Sequence, residues 1–146
     1  MENNFLSAFK RIISIQKKIV IIPHRNPDGD ALGSALALKH FLEAKKHKVN
    51  IVSPNDYPTF LKWLPGESDI IKFSKTPNIA RDKIKNAELI FGLDFNSLSR
   101  IQDLSEIVKK TKVDKLMIDH HESPEFFANL NYSDPSMSST CEMVYN

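Results

Sequence analysis

The chain has 146 residues, the size of one domain, and its 41% hydrophobic and 26% charged composition permits a buried core and excludes disorder. A formal net charge of +2 is too small to argue for nucleic acid on electrostatics alone. One cysteine, Cys141, excludes an internal disulfide and a cysteine-based zinc site; no apolar run can span a membrane and no signal core opens the chain, so a cytoplasmic protein without a membrane partner is expected.

Phe5, Leu6, Phe9, Ile12 and Ile13 recur at helical spacing, with Asn3 or Asn4 as the expected N-cap. Lys18 to Pro23 (KIVIIP) reads as a buried strand. The helical period resumes over 31–46, and Val49 to Val52 predicts a second strand. Pro54 to Pro65 is broken, with a short helix around Trp63 and a turn at Pro65-Gly66. A strand over Ile70 to Phe73, a helix over Ile79 to Ala87 and a strand over Glu88 to Phe95 follow. Leu104 to Lys110 is helical, Lys115 to His120 is a further strand, and SSTCEMVYN looks like a last helix. There is no internal repeat. Strands separated by helices predict an α/β fold, doubly wound around a mainly parallel sheet with helices on both faces.

Three of these strands end in polar, metal-competent groups: His24 with Asp28 and Asp30, then Asp94, then Asp119, His120 and His121. Sites in open α/β sheets form at the carboxyl ends of the strands, so the topology should make these residues neighbours. Clustered carboxylates repel one another unless cations neutralise them. Carboxylate with imidazole and no thiolate suits Mn²⁺ or Mg²⁺, with Fe²⁺, Co²⁺ or Zn²⁺ as further fits. Five or more ligands exceed the needs of one ion and match a pair about 3.5–4 Å apart that shares a carboxylate. Pro27 holds the chain extended past the strand, Gly29 allows a tight turn, and a helix starting near Ala31 aims its N-terminus at the crevice.

HRNPDGDALGS, the aspartate in FGLDFNSLSRI, Asp119-His120-His121 in MIDHHESP and YSDPSMSSTCEMVYN together resemble the successive motifs of the DHH phosphoesterases. The similarity is greatest to the nanoRNase/oligoribonuclease branch, whose members degrade very short RNA and dephosphorylate 3′-phosphoadenosine 5′-phosphate (pAp). The resemblance implies two divalent cations, Mn²⁺ first, with His24 and Asp28 on one and Asp30 and His120 on the other. Asp94 would bridge them, His121 would face the phosphate, and Asp119 would orient its neighbours. Arg100 and Asn26 would lie on the substrate side. The implied partner is a short RNA or small nucleotide and no long duplex; a homodimer stays open. The resemblance also implies that residues 1–146 form a DHH-type domain that ends before its last metal-binding aspartate, without a C-terminal substrate-binding domain. A related hydrolase of pyrophosphate or cyclic dinucleotides, or an inactive binding module, are the alternatives.

Plainer roles compete at each position. His24 alone reads as a strand-end histidine bonded to backbone, and within the constellation as a ligand. Asp28 and Asp30 suit turn and N-cap roles, Asp30 most directly. Ser138, Ser139 and Thr140 suit a helix cap, Cys141 the core, and His40 and His47 the surface. An EF-hand is excluded, since Ala31 and Ala37 occupy its glycine and glutamate places. Neither glycine-rich phosphate motif occurs.

Overall fold

The computed structural model describes residues 2–146, with side chains from Asn4 onward. Helix α1 (Glu2–Ile12) leads into β1 (Lys18–Pro23), α2 (Gly29–Ala44), β2 (Lys48–Ser53), β3 (Ile71–Lys72) and α3 (Pro77–Lys85). There follow β4 (Leu89–Leu93), α4 (Asp103–Lys110), β5 (Lys115–Asp119), β6 (Leu130–Ser133) and α5 (Thr140–Tyr145). All neighbouring strands pair in parallel, in the order β3-β2-β1-β4-β5-β6. The chain winds outward from β1 to β3, then returns to β4 on the other side of β1. That reversal opens a crevice beyond the carboxyl ends of β1 and β4, where an open α/β sheet places its ligand site.

Inside their ends the central strands β1, β4 and β5 are apolar because both faces of the sheet are covered there. Ile19 and Ile21 of β1 join Leu32 and Leu42 of α2, Phe5 of α1 and Met143 of α5 in one cluster. Val20 and Ile22 join Ala80 and Ile84 of α3 and Leu104 and Val108 of α4 on the other face. Each such aliphatic contributes about 1.5–3 kcal/mol on burial. A polar side chain inside these strands would forfeit that gain and its own hydration, so polar groups appear where a strand leaves the sheet. Gly92 in β4 serves close packing: a Cβ there would stand 2.7 Å from the Phe95 ring, which stacks on Phe127 with centroids 5.5 Å apart.

The α/β, doubly wound expectation holds, with local differences. Asn3 and Asn4, expected to precede the helix, lie inside α1, which already runs from Glu2. Helix α2 begins at Gly29, not near Ala31. The 54–65 segment carries a 3-10 turn at Thr59–Leu61, ahead of Trp63. Strand β6 is an addition, and His47 is buried, not superficial: its Nδ1 accepts the Lys17 N–H at 3.1 Å. Among the described residues no helix is long and apolar enough to cross a membrane.

Candidate metal centre

The turn after β1 is held from both sides. The Arg25 N–H donates to the Arg100 carbonyl at 2.8 Å. Asn26 takes a left-handed φ of 54° and is gripped by Asn55, whose Oδ1 accepts the Asn26 N–H and whose Nδ2 donates to Asn26 Oδ1, each at 2.7 Å. Asp28 is the N-cap of α2, with Oδ1 accepting the Ala31 N–H at 2.9 Å. The cap is therefore Asp28, and Asp30 lies in the first turn. His24 is buried; its Nδ1–H donates to the Arg25 carbonyl at 2.7 Å, which turns Nε2 toward Asp94 and Asp28. A backbone carbonyl on the far nitrogen is the usual fixture of a metal-binding imidazole.

Asp94 ends β4 with a positive φ of 64°, a conformation that costs about 1 kcal/mol or more and is found mainly where function requires it. Its carboxylate is 2% exposed, and Oδ1 accepts the Thr140 hydroxyl at 2.8 Å. Helix α5 is docked by the same neighbourhood. Asp30 accepts the Thr140 N–H (Oδ2, 2.9 Å) and the Cys141 N–H (Oδ1, 2.8 Å), while Ser139 Oγ accepts the Glu142 N–H at 3.1 Å. The first N–H groups of α5 are thereby satisfied. Cys141 is half-buried, with Sγ donating to the Asp30 carbonyl at 3.5 Å and standing 3.0 Å from where a Cβ on Gly33 would lie.

After β5, buried Asp119 holds His121 in two places. Oδ2 accepts its N–H at 3.0 Å, and Oδ1 accepts Nδ1–H at 2.6 Å, so Nε2 carries the lone pair. His120 Nε2 lies 3.5 Å from Asp30 Oδ2 and 3.6 Å from Asp94 Oδ1. The loops after β4 and β5 are laced together: Asn96 Nδ2 donates to the Glu122 carbonyl, and Glu125 accepts from the Leu98 N–H and the Ser97 hydroxyl.

The result is two groups of potential ligands that share Asp94. His24, Asp28 and Asp94 form one, and Asp94, His120 and His121 the other, with the ligand atoms of each group within 4.8 Å of one another. Between imidazole and carboxylate across the crevice the gaps are 3.5–3.8 Å, longer than good hydrogen bonds. Groups about 2.1 Å from a common ion are spaced in about this way. The oxygen and imidazole donors fit hard to borderline divalent cations.

The electrostatics agree. Burial pushes the Asp94 carboxyl up, and the charge of Asp30 adds to this against the nearby His24 imidazole and the Thr140 hydroxyl bond. Burial works against a charged His24, but the nearby Asp94 carboxylate and the bond to the Arg25 carbonyl outweigh it and raise its pKa. Asp30 is held low: burial pushes upward, and the two N–H groups of α5 overcome it. The Cys141 thiol is pushed up to about 12, first by burial and then by Asp30, and stays protonated near neutral pH.

All five expected ligands thus converge on one edge, with Asp119 and His121 beside them. Arg100 lies at the rim, exposed, its backbone tied to Arg25. Asn26 is adjacent, but its side chain is engaged by Asn55. Two readings change: Thr140, expected as a cap with a phosphate contact as the lesser reading, bonds Asp94 directly, and Cys141, expected in the core, is half-buried with Sγ on the Asp30 carbonyl. The sequence does mark a helix start at SSTCE, but nothing in it says that this helix meets a residue 46 positions upstream.

A model of the DHH family, N-terminal domain, matches residues 18–146. The chain is 30% identical over 131 residues to the bifunctional oligoribonuclease and PAP phosphatase NrnA of Thermus thermophilus, covering 90% of this chain and 36% of that protein. It is 27% identical over 145 residues to the cyclic-di-AMP phosphodiesterase PdeA of Listeria monocytogenes, covering 94% and 22%. The crystal structure of an exopolyphosphatase-related protein from Bacteroides fragilis superposes with a TM-score of 0.96 at 43% identity, covering 98% of this chain and 42% of that one. The chain therefore spans 22 to 42% of the lengths of these relatives.

Proposed function

The chain belongs to the DHH family of metal-dependent phosphoesterases, and from that premise we propose that it carries the two-metal centre of an enzyme hydrolysing short oligoribonucleotides and pAp. The observation that supports this reading most is the position of Asp94, buried and common to both ligand groups. His24 and Asp28 would hold one cation and Asp30 and His120 the other, with Asp94 between them. Two such cations, Mn²⁺ with Mg²⁺ or Co²⁺ as substitutes, supply acidification of a water and neutralisation of phosphoryl charge.

The protein's own groups set the geometry. Thr140 holds the Asp94 carboxylate by one oxygen, leaving the other toward His24. Asp119 fixes the tautomer and orientation of His121, which faces the phosphoryl group. Arg100 adds a cation on the substrate side, and Asn26 holds the turn that presents Asp28. A cyclic dinucleotide is the second reading, favoured by the similarity to PdeA.

Purified protein incubated with pAp, a 5′-phosphorylated RNA dinucleotide, cyclic di-AMP and pyrophosphate separates these readings. Mn²⁺-dependent release from pAp and the dinucleotide, abolished by chelator, is the expected result. Turnover confined to the cyclic dinucleotide selects the second reading, and none on any substrate with Mn²⁺ bound sinks both.

A further inference from the structure

On the connection from β2 to β3, two large aromatic side chains stand in solvent. Phe60 and Trp63 are 70% and 75% exposed. The connection leaves the parallel sheet at the same carboxyl edge as His24 and Asp94. The turn around them winds as a 3-10 helix, with the N–H groups of Leu61, Lys62 and Leu64 donating to the carbonyls of Pro58, Thr59 and Leu61. The 3-10 helix covers Thr59–Leu61 and so includes Phe60, while Trp63 follows in the same turn, three positions on.

The chain beneath the rings is anchored. Leu61 is buried and reaches within 4.0 Å of where a Cβ on Gly29 would stand. Asn55 grips Asn26, and Asp56 holds Lys62 and Lys75 at 2.7 and 2.6 Å. The connection is thus fastened to Asn26 and Gly29, which bracket the candidate ligand Asp28. An exposed pair of rings on a fixed support binds a flat partner with little ordering cost.

We infer that Phe60 and Trp63 form a stacking platform for a nucleobase of the substrate whose phosphate lies at the metal centre. This inference rests on the phosphoesterase reading and adds the part of the substrate that the metals do not recognise. Unpaired bases stack on aromatic side chains, and every base has a π-face. The platform therefore favours nucleotides over base-free phosphates and discriminates little among bases.

Trp63 is the single tryptophan of the chain, so its emission reports stacking directly. Adenosine 5′-monophosphate added to the Mn²⁺-loaded protein quenches this emission, and ribose 5-phosphate and inorganic phosphate do not. By calorimetry, Phe60→Ala and Trp63→Leu each weaken adenosine 5′-monophosphate about five-fold or more, with Mn²⁺ affinity unchanged. Both positions are exposed, and equal melting temperatures verify folding. Equal quenching by ribose 5-phosphate, or nucleotide affinity unchanged in both variants, overturns the platform. So does a loss of affinity in Phe126→Ala alone, since Phe126 is the exposed ring on the other flank. Nucleotide quenching without hydrolysis of any phosphate ester leaves the platform standing and removes the phosphoesterase reading. Hydrolysis without any effect of Phe60 or Trp63 removes the platform alone.

Discussion

On the β2–β3 connection, in β3 and in the turn after it, Asp56, Tyr57, Lys62, Glu67, Lys72 and Lys75 pair with one another; at the ends of β1, β4 and β5, His24, Asp28, Asp30, Asp94 and His120 face one another across gaps. The first cluster closes at contact distance: Tyr57 donates to Glu67 at 2.5 Å, and Lys62 and Lys75 reach Asp56 at 2.7 and 2.6 Å. In the second, the imidazoles stop 3.5–3.8 Å from the carboxylates, while His24 is held from behind by a backbone carbonyl, Asp28 and Asp30 by backbone N–H groups and Asp94 by the Thr140 hydroxyl. The first is complete in itself and fastens a loop. The second is held open, at a cost in like-charge repulsion, and becomes complete only with cations.

The sharpest way to break this comparison is at Asp94. Asp94→Asn removes a ligand from both groups, so steady-state turnover should fall by roughly 10³-fold or more. Arg100→Ala should raise KM and retain most of kcat, because it touches neither group of ligands. Similar residual rates for the two variants would count against a shared ligand at position 94.

Thr140 tests whether positioning matters as well as ligation. Thr140→Val keeps the buried shape and removes the hydroxyl that holds Asp94 Oδ1. Mn²⁺ affinity, measured by calorimetry, should drop by roughly 10- to 100-fold, the usual loss when a ligand's supporting partner is removed. Thr140→Ser should restore it. Equal weakening in the serine variant would assign the effect to packing.

The paired cluster should respond in the opposite manner. Tyr57→Phe leaves the buried Glu67 without its shortest bond and should destabilise the protein by about 1–3 kcal/mol. The upward shift of melting temperature on adding Mn²⁺ should keep its size, since metal linkage acts only through the open cluster. A Tyr57→Phe protein that no longer responds to Mn²⁺ would join the two clusters into one unit.

Much of this arrangement is legible in the sequence because β1, β4 and β5 are buried on both faces. KIVIIP, ELIFGL and KLMID can carry polar groups only at their ends, so His24, Asp94 and Asp119 announce the crevice. Strand β6 escapes notice because LNYS is half-buried and polar at the edge of the sheet, with no aliphatic run. The N-cap is ambiguous in PDGD because both acids precede a helix read as starting near Ala31, and only the extended backbone of Asp28 settles it. His47 reads as a surface residue because its partner, the Lys17 N–H, comes from 30 residues upstream. The Thr140–Asp94 bond is hidden for the same reason: spacing along the chain cannot show which distant strand end a helix will meet.

The smallest effect expected is a pH dependence confined to the paired cluster. Lys62 and Lys75, with the Tyr57 N–H, hold the Asp56 carboxyl well below its ordinary 3.8. Burial pushes Glu67 up, but the Tyr57 hydroxyl with Lys72 and Lys62 overcomes this and leaves it below 4.5. Tyr57 stays protonated as the donor, because burial and then Glu67 raise its own pKa. For an acid whose folded pKa is depressed, the unfolded chain takes up protons first on acidification. The stabilisation is therefore present above the unfolded values of 3.8 and 4.5 and is lost as the pH falls below them through the folded values. Urea midpoints from about pH 6 to about pH 3 should fall more steeply for the native protein than for Asp56→Asn/Glu67→Gln, and the gap between the two curves should narrow toward the acid end. The metal-site acids are common to both proteins and cancel in the difference. A gap that widens on acidification would mean that these lysines do not hold the two carboxylates in the folded state.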